Sequence, residues 1–239
     1  MIVKRISLIT VFFLFPLLTL AQMFSVGNEP ERTRTSNTTF RVGFSISDFS
    51  FQGTPSENYS EKLLEVNEPM LVLGVESAGL SASALIGNKI TGIENGSFLD
   101  LNLRFTNSIP ITDNKRLEVG IPIQLSTGIT ASNSTLDGNR FNQTIFAIGS
   151  GGAFTLKVSP KTHLVLNGIT GYGFSNSNGG FFGGSVFYLN GITRLNVMNL
   201  IGDKGLSIGY NYSFKSFNID EETYDYELTA HLITLGIAF

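Results

Sequence analysis

A chain of 239 residues, 42% hydrophobic and only 15% charged, with 26 glycines, 20 phenylalanines and 7 tyrosines, fits one domain or one barrel and leaves little room for two. It has no cysteine, which excludes a disulfide scaffold, a thiolate metal site, a cysteine nucleophile and a lipidated N-terminal cysteine. A formal net charge of −3 offers no broad basic surface to nucleic acid.

Residues 1–21 read as an export signal. Lys4 and Arg5 make a positive start, Ile6 to Leu20 an uncharged apolar run, and Thr19-Leu20-Ala21 a small-residue cleavage region before Gln22. The rival reading is an uncleaved anchor helix, which length disfavours: about 15 residues fall short of the roughly 20 that span a bilayer, and Pro16 interrupts them. Removal of this segment takes away two basic residues and no acid, so 16 basic residues become 14 against 19 acidic ones. Residues 22–37 mix Arg and Glu with Asn, Ser and Thr without apolar periodicity, as a flexible periplasmic lead does. No later apolar run has helix-spanning length. A secreted soluble β protein or an outer-membrane barrel occupying 38–239 remains.

Period-two alternation then dominates the chain. Leu99, Leu101, Leu103 and Phe105 oppose Asp100, Asn102, Arg104 and Thr106; Leu117, Val119, Ile121, Ile123 and Leu125 oppose Arg116, Glu118, Gly120, Pro122 and Gln124. Leu206, Ile208, Tyr210, Tyr212 and Phe214 oppose Ser207, Gly209, Asn211, Ser213 and Lys215. The pattern predicts strands near 38–51, 69–77, 80–88, 97–108, 116–127, 142–158, 163–174, 181–197, 205–217 and 224–239. Compact turns alternate with longer polar loops, which fits an antiparallel up-and-down transmembrane β-barrel with both termini in the periplasm. Ten strands is the reading; the Ala- and Ser-rich segment from Leu80 to Ile86 makes eight the alternative.

A soluble sandwich also alternates. Three features favour the membrane: strands longer than the usual five or six residues, a polar face of Gly, Ser, Asn and mixed charges, and a continuous apolar face with aromatic ends. The last strand is the most specific signal, with Ile233, Leu235, Ile237 and the terminal Phe239 at alternate positions. Over about ten residues it resembles the C-terminal strand of bacterial outer-membrane barrels. The chain as a whole is similar to small porin-like barrels of Gram-negative bacteria, the Bacteroidota type being the narrower expectation. The resemblance implies that Phe239 is an assembly signal read by the barrel-assembly machinery, and that the surrounding partner is outer-membrane lipid.

With the apolar faces toward lipid, Arg41, Glu76, Asp100, Arg104, Arg116, Glu118, Arg194 and Lys215 point inward. A small barrel is only just filled by side chains, so these charges are expected to pair, for instance Asp100 with Arg116 across a hairpin. A plugged interior and a narrow selective pathway are the two readings of the lumen. Gly205-Leu206-Ser207-Ile208-Gly209 matches a nucleophile-elbow pattern, but the elbow needs a strand-to-helix turn and this Ser sits in regular β alternation. His163, at the periplasmic start of strand seven, and the outward-facing His231 are too far apart for a two-His metal site. Glu57, Glu61, Glu65 and Glu68 in the first loop, and Asp220, Glu221, Glu222, Asp225 and Glu227 in the last, read as solvated acid. Tyr210, Tyr212, Tyr224 and Tyr226 read as an interfacial girdle. The expectation is therefore a non-enzymatic outer-membrane barrel without cofactor or metal, with a structural or interaction role or a narrow passive channel. A barrel enzyme acting on outer-leaflet lipid or peptide, and a soluble secreted β-sandwich, are the alternatives.

Overall fold

Alternation sends every second side chain to the same face of a strand. In a computed structural model of the chain, each alternating segment forms one. The structure describes residues 38–52, 64–114, 116–134, 140–176, 183–219 and 225–239. The signal at 1–21 and the lead at 22–37 lie outside the described residues, as do Glu57, Glu61, Asp220, Glu221, Glu222 and Tyr224.

The strands are β1 (Thr39–Phe51), β2 (Val66–Ser77), β3 (Leu80–Gly87), β4 (Gly96–Asp113), β5 (Leu117–Ser134), β6 (Arg140–Lys157), β7 (Thr162–Asn176), β8 (Gly184–Ile201), β9 (Lys204–Ile219) and β10 (Tyr226–Ala238). Each pairs antiparallel with its sequence neighbour, and β1 closes on β10 from Thr39↔Ala238 to Phe51↔Tyr226. The fold is a closed, all-antiparallel, ten-stranded barrel. Closure removes both sheet edges and leaves no second sheet, so the sandwich and the eight-stranded count are set aside. β3, the weakest segment in sequence, is the shortest strand but pairs from Leu80 to Ile86 with β2 and along its whole length with β4.

The four tight connections gather at the end that carries Thr39 and Ala238. Ala78 and Gly79 link β2 to β3 with φ of 42° and 83°, the doubly left-handed turn that matches strand twist. Gly202, at φ 65°, does the same work between β8 and β9. The longer connections leave from the opposite end. β5 departs most from its predicted bounds, running to Ser134 where a loop from Thr127 was expected. Its last turns alternate Thr130 and Ser132 inward against Ile129 and Ala131, a pattern too polar to stand out in sequence, and both neighbouring strands pair with it.

The outward face is apolar on strand after strand. Phe44 and Ile46 on β1 are each 69% exposed and Ile233 on β10 is 66% exposed; Phe146, Ile148, Phe174, Ile208 and Leu235 share that face. The interior is filled in two zones. Toward the loop end the large side chains are mostly apolar, with small polar ones such as Ser47, Ser132 and Ser175 among them; from mid-barrel toward the short-turn end they are polar and charged.

Candidate functional site in the barrel interior

The polar zone is held by two ion-pair systems that cross the lumen. Asp100 on β4 follows the inward parity of Phe98, Asn102 and Arg104, and Lys215 on β9 follows that of Ser213 and Phe217. Lys215 Nζ donates to Asp100 Oδ1 at 2.5 Å and to Asn102 Oδ1 at 2.9 Å. Thr130 Oγ1 donates to Asp100 Oδ1 at 2.5 Å and Asn102 Nδ2 to Asp100 Oδ2 at 2.7 Å. Both charged side chains are nearly inaccessible, at 3% and 6%. Every strong acceptor of the carboxylate therefore has a donor, the condition under which a buried pair persists.

The second system centres on Glu76 of β2. Its Oε2 accepts from Arg41 Nη1 of β1 at 2.8 Å and from Arg194 Nη1 of β8 at 2.7 Å. Glycines make room for the arginine stems. A Cβ on Gly209 would sit 3.1 Å from Arg194 Cγ, and one on Gly236 would sit 2.9 Å from Arg41 Cγ. The small inward residues Ser81 and Ser83 of β3 line the same space, so the composition that blurred this strand in sequence is what lets long side chains meet beside it.

Arg104 stands between the two systems. Its Nη2 donates to Asn190 Oδ1 at 3.3 Å, an oxygen that also accepts from Ser213 Oγ at 3.1 Å. Among the described residues no carboxylate lies within ion-pair distance of it. Tyr188 of β8 lies flat across two neighbouring inward glycines, Gly149 and Gly171, where any Cβ would overlap its ring. Its hydroxyl reaches Ser126 Oγ at 3.3 Å and Gln124 Oε1 at 3.4 Å on β5. A cavity of about 260 Å³ remains among these groups, lined by Arg41, Glu76, Asp100, Arg104, Asn190 and Arg194 among others, and extending to Gly79 and Ser108 near the short turns.

The loop end is closed by aromatic rings. Phe49 packs on Phe98 (5.3 Å between centroids), on Phe141 (4.9 Å) and, stacked, on Tyr226 (5.1 Å); Phe141 also meets Phe217 at 5.3 Å. These five rings come from five strands and are all buried. Leu64, Ile93, Ile145 and Val186 extend the cluster.

Of the residues expected inside, Arg41, Glu76, Asp100, Arg104, Arg194 and Lys215 are brought together around the lumen. Glu118 keeps the inward parity but lies at the short-turn rim, paired with Lys157 of β6. Arg116 is exposed at the short-turn rim, in the β4–β5 connection, where its backbone N–H bonds Asn114 Oδ1 at 3.0 Å and its carbonyl accepts from Lys157 N–H at 2.8 Å. The expected Asp100–Arg116 pair is accordingly absent, because β4 places Asp100 opposite Thr130, far along the hairpin from Arg116. Tyr226 is corrected as well. It shares the parity of Leu228 and Ala230 and packs inside the barrel, while Tyr210 remains on the outer face. The inward aromatic cluster was not foreseen, although its signal is present: Phe49, Phe98 and Phe217 sit on the same alternation as Ser47, Asp100 and Lys215.

His231 faces outward, its Nδ1 2.8 Å from Tyr210 Oη and its ring beside Tyr212. Ser207 sits inward in regular strand geometry on β9. Phe239 donates its N–H to Thr38 O at 2.9 Å, and its ring meets Phe40 edge-on at 6.0 Å with Lys204 Nζ above it.

No family profile matches the chain, and no curated protein matches it. Among solved structures it is similar to the outer membrane protease OmpT from Escherichia coli, at a TM-score of 0.40 and 9% identity over 89% of this chain and 99% of that one. It is also similar to Ail, the attachment invasion locus protein of Yersinia pestis (TM-score 0.26, 11% identity, 85% and 99% covered). The Ralstonia pickettii toluene transporter TbuX has a TM-score of 0.27 and 11% identity, with 85% and 88% covered.

Proposed function

We propose that this chain is an integral outer-membrane β-barrel of a Gram-negative envelope, with a filled interior and a structural or interaction role. The observation that carries the reading is the apolar band around a closed barrel whose polar groups are turned inward. At about 3.4 Å per residue and a tilt of about 40°, Leu117 to Ile129 covers about 31 Å of barrel height and Leu206 to Phe214 about 21 Å. These bracket the roughly 25 Å apolar band of outer-membrane barrels. A surface of this kind in water would be an apolar patch far beyond what soluble proteins carry. His231, at the loop-side end of the outward apolar run of β10, meets Tyr210 and Tyr212 on the outer face of β9 and suits an interfacial position.

The filled interior supports a role that depends on the loop end and the outer surface rather than on passage through the lumen. A non-enzymatic reading is supported by Ser207, which lies in a regular strand with no turn to present it, and by His231, which faces away from the interior acids. Assembly is assigned to the β10 strand and Phe239, with the barrel-assembly machinery as partner. Cell fractionation tests the reading. The chain is expected in the outer-membrane fraction, resistant to alkaline carbonate extraction and heat-modifiable in its gel migration. Recovery as a detergent-free soluble protein would contradict it.

A further inference from the structure

We infer that the lumen cavity is a binding site for one small oxyanion, a carboxylate or a phosphate, held at Arg104. Among the described residues the mid-barrel carries four cationic side chains, Arg41, Arg104, Arg194 and Lys215, against two acids, Glu76 and Asp100. Both acids are already engaged: Asp100 by Lys215, Thr130 and Asn102, Glu76 by Arg41 and Arg194. Arg104 is left with a neutral partner, the Asn190 carboxamide, at a long 3.3 Å. A guanidinium cannot shed its proton to escape this, as a lysine can, so the excess positive charge stays in the barrel. Burying a charge without a counterion is costly, and an oxyanion matches the planar donor fork in both charge and geometry.

Three further observations point the same way. Arg104 lines the 260 Å³ cavity together with Arg41 and Arg194, so three guanidinium groups border one open space. The Nε groups of Arg41 and Arg194 are buried with no hydrogen-bond partner, so neither arginine is saturated by Glu76. The Asn190 carboxamide borders the same space; its oxygen is taken by Arg104 and Ser213, and its nitrogen is a donor suited to a further oxygen of the anion. The volume exceeds what a single water requires and is large enough for an inorganic oxyanion or a small organic acid. The aromatic cluster closes the loop end, whereas the cavity reaches Gly79 and Ser108, so the anion enters from the short-turn side. This inference rests on the barrel interior alone and is independent of where the barrel resides.

Isothermal titration of the refolded chain in detergent micelles tests it, with inorganic phosphate, gluconate and neutral glucose as probes. Folding of every sample is established first by heat-modifiable migration. The expected result is one saturable site per chain for phosphate or gluconate and none for glucose. Phosphate alone identifies an inorganic oxyanion, and gluconate an organic carboxylate. Arg104→Gln is expected to weaken binding by about tenfold or more, while Arg116→Gln, in the exposed turn, leaves it unchanged. Arg104→Lys keeps the charge without the fork, gives intermediate affinity, and serves if the Gln variant yields no folded barrel. Absence of saturable binding by either anion, equal binding of glucose, or full affinity in Arg104→Gln overturns the proposal.

Discussion

Lys215 on β9 and Asp100 on β4 meet at 2.5 Å from strands that stand five positions apart in a ring of ten, so their bond spans the barrel. The Arg194–Glu76 bond, from β8 to β2, is a second strut across the same lumen. A closed sheet of hydrogen bonds fixes the circumference of the barrel. These struts tie facing walls together: widening the barrel along either line would separate the buried Lys215–Asp100 pair or draw Arg194 away from Glu76.

Lys215→Met leaves Asp100 buried with its cation gone, and breaking a buried pair in this one-sided way costs about 3–5 kcal/mol. Lys215→Met combined with Asp100→Leu removes both charges and is expected to recover much of that loss. Equilibrium unfolding in denaturant, followed in micelles, gives both values. A double variant as unstable as the single would argue against the strut.

Tyr188 fits only because Gly149 and Gly171 lack side chains. Gly171→Ala is expected to destabilise by about 1–3 kcal/mol through overpacking. In the Tyr188→Ala background the same substitution should cost less, since the ring it would strike has gone and only the approach to Ile148 O, 2.5 Å from the added Cβ, remains. The non-additivity measured in a double-mutant cycle is the test.

Phe49 is the ring shared by most of the loop-end cluster. Phe49→Ala should cost about 3–5 kcal/mol, from lost burial and the void left behind. The outward Phe44→Ala, whose ring touches the surroundings of the barrel rather than its core, is expected to cost much less in the same unfolding assay.

Deletion of Phe239 removes the edge contact with Phe40, the cation over its ring and the last backbone bond to Thr38. A several-fold drop in heat-modifiable, outer-membrane-inserted protein is expected. Unchanged yield would count against the assembly role of the terminal strand.

Alternation made most of the barrel legible before any coordinates. One face of β4, β5 and β9 was apolar in a strict period of two, and a one-residue slip would have turned every side chain over, so register and facing followed together. Strand ends were less legible. β5 continues past Thr127 because its pairing with β4 and β6 stabilises polar residues whose own pattern is weak. Partners across the lumen were not legible either: parity says that Asp100 faces inward, but only closure brings β9 opposite β4. Arg116 has no partner in Asp100 because it sits at the rim of the barrel, where Asn114 caps the turn and the chain is exposed. The aromatic cluster was hidden by the assumption that one face is wholly polar. In this barrel the inward face changes character along its length, from charged to aromatic.

Cross-barrel ion pairs occupy the lumen, and five buried rings close its loop end. Single-channel recording of the refolded chain in a planar bilayer tests this arrangement most directly, with heat-modifiable migration as proof of folding. The filled barrel predicts silence at moderate voltage. Discrete, ion-selective openings from the folded chain, altered by substitution of Arg104 or Glu118, would contradict it.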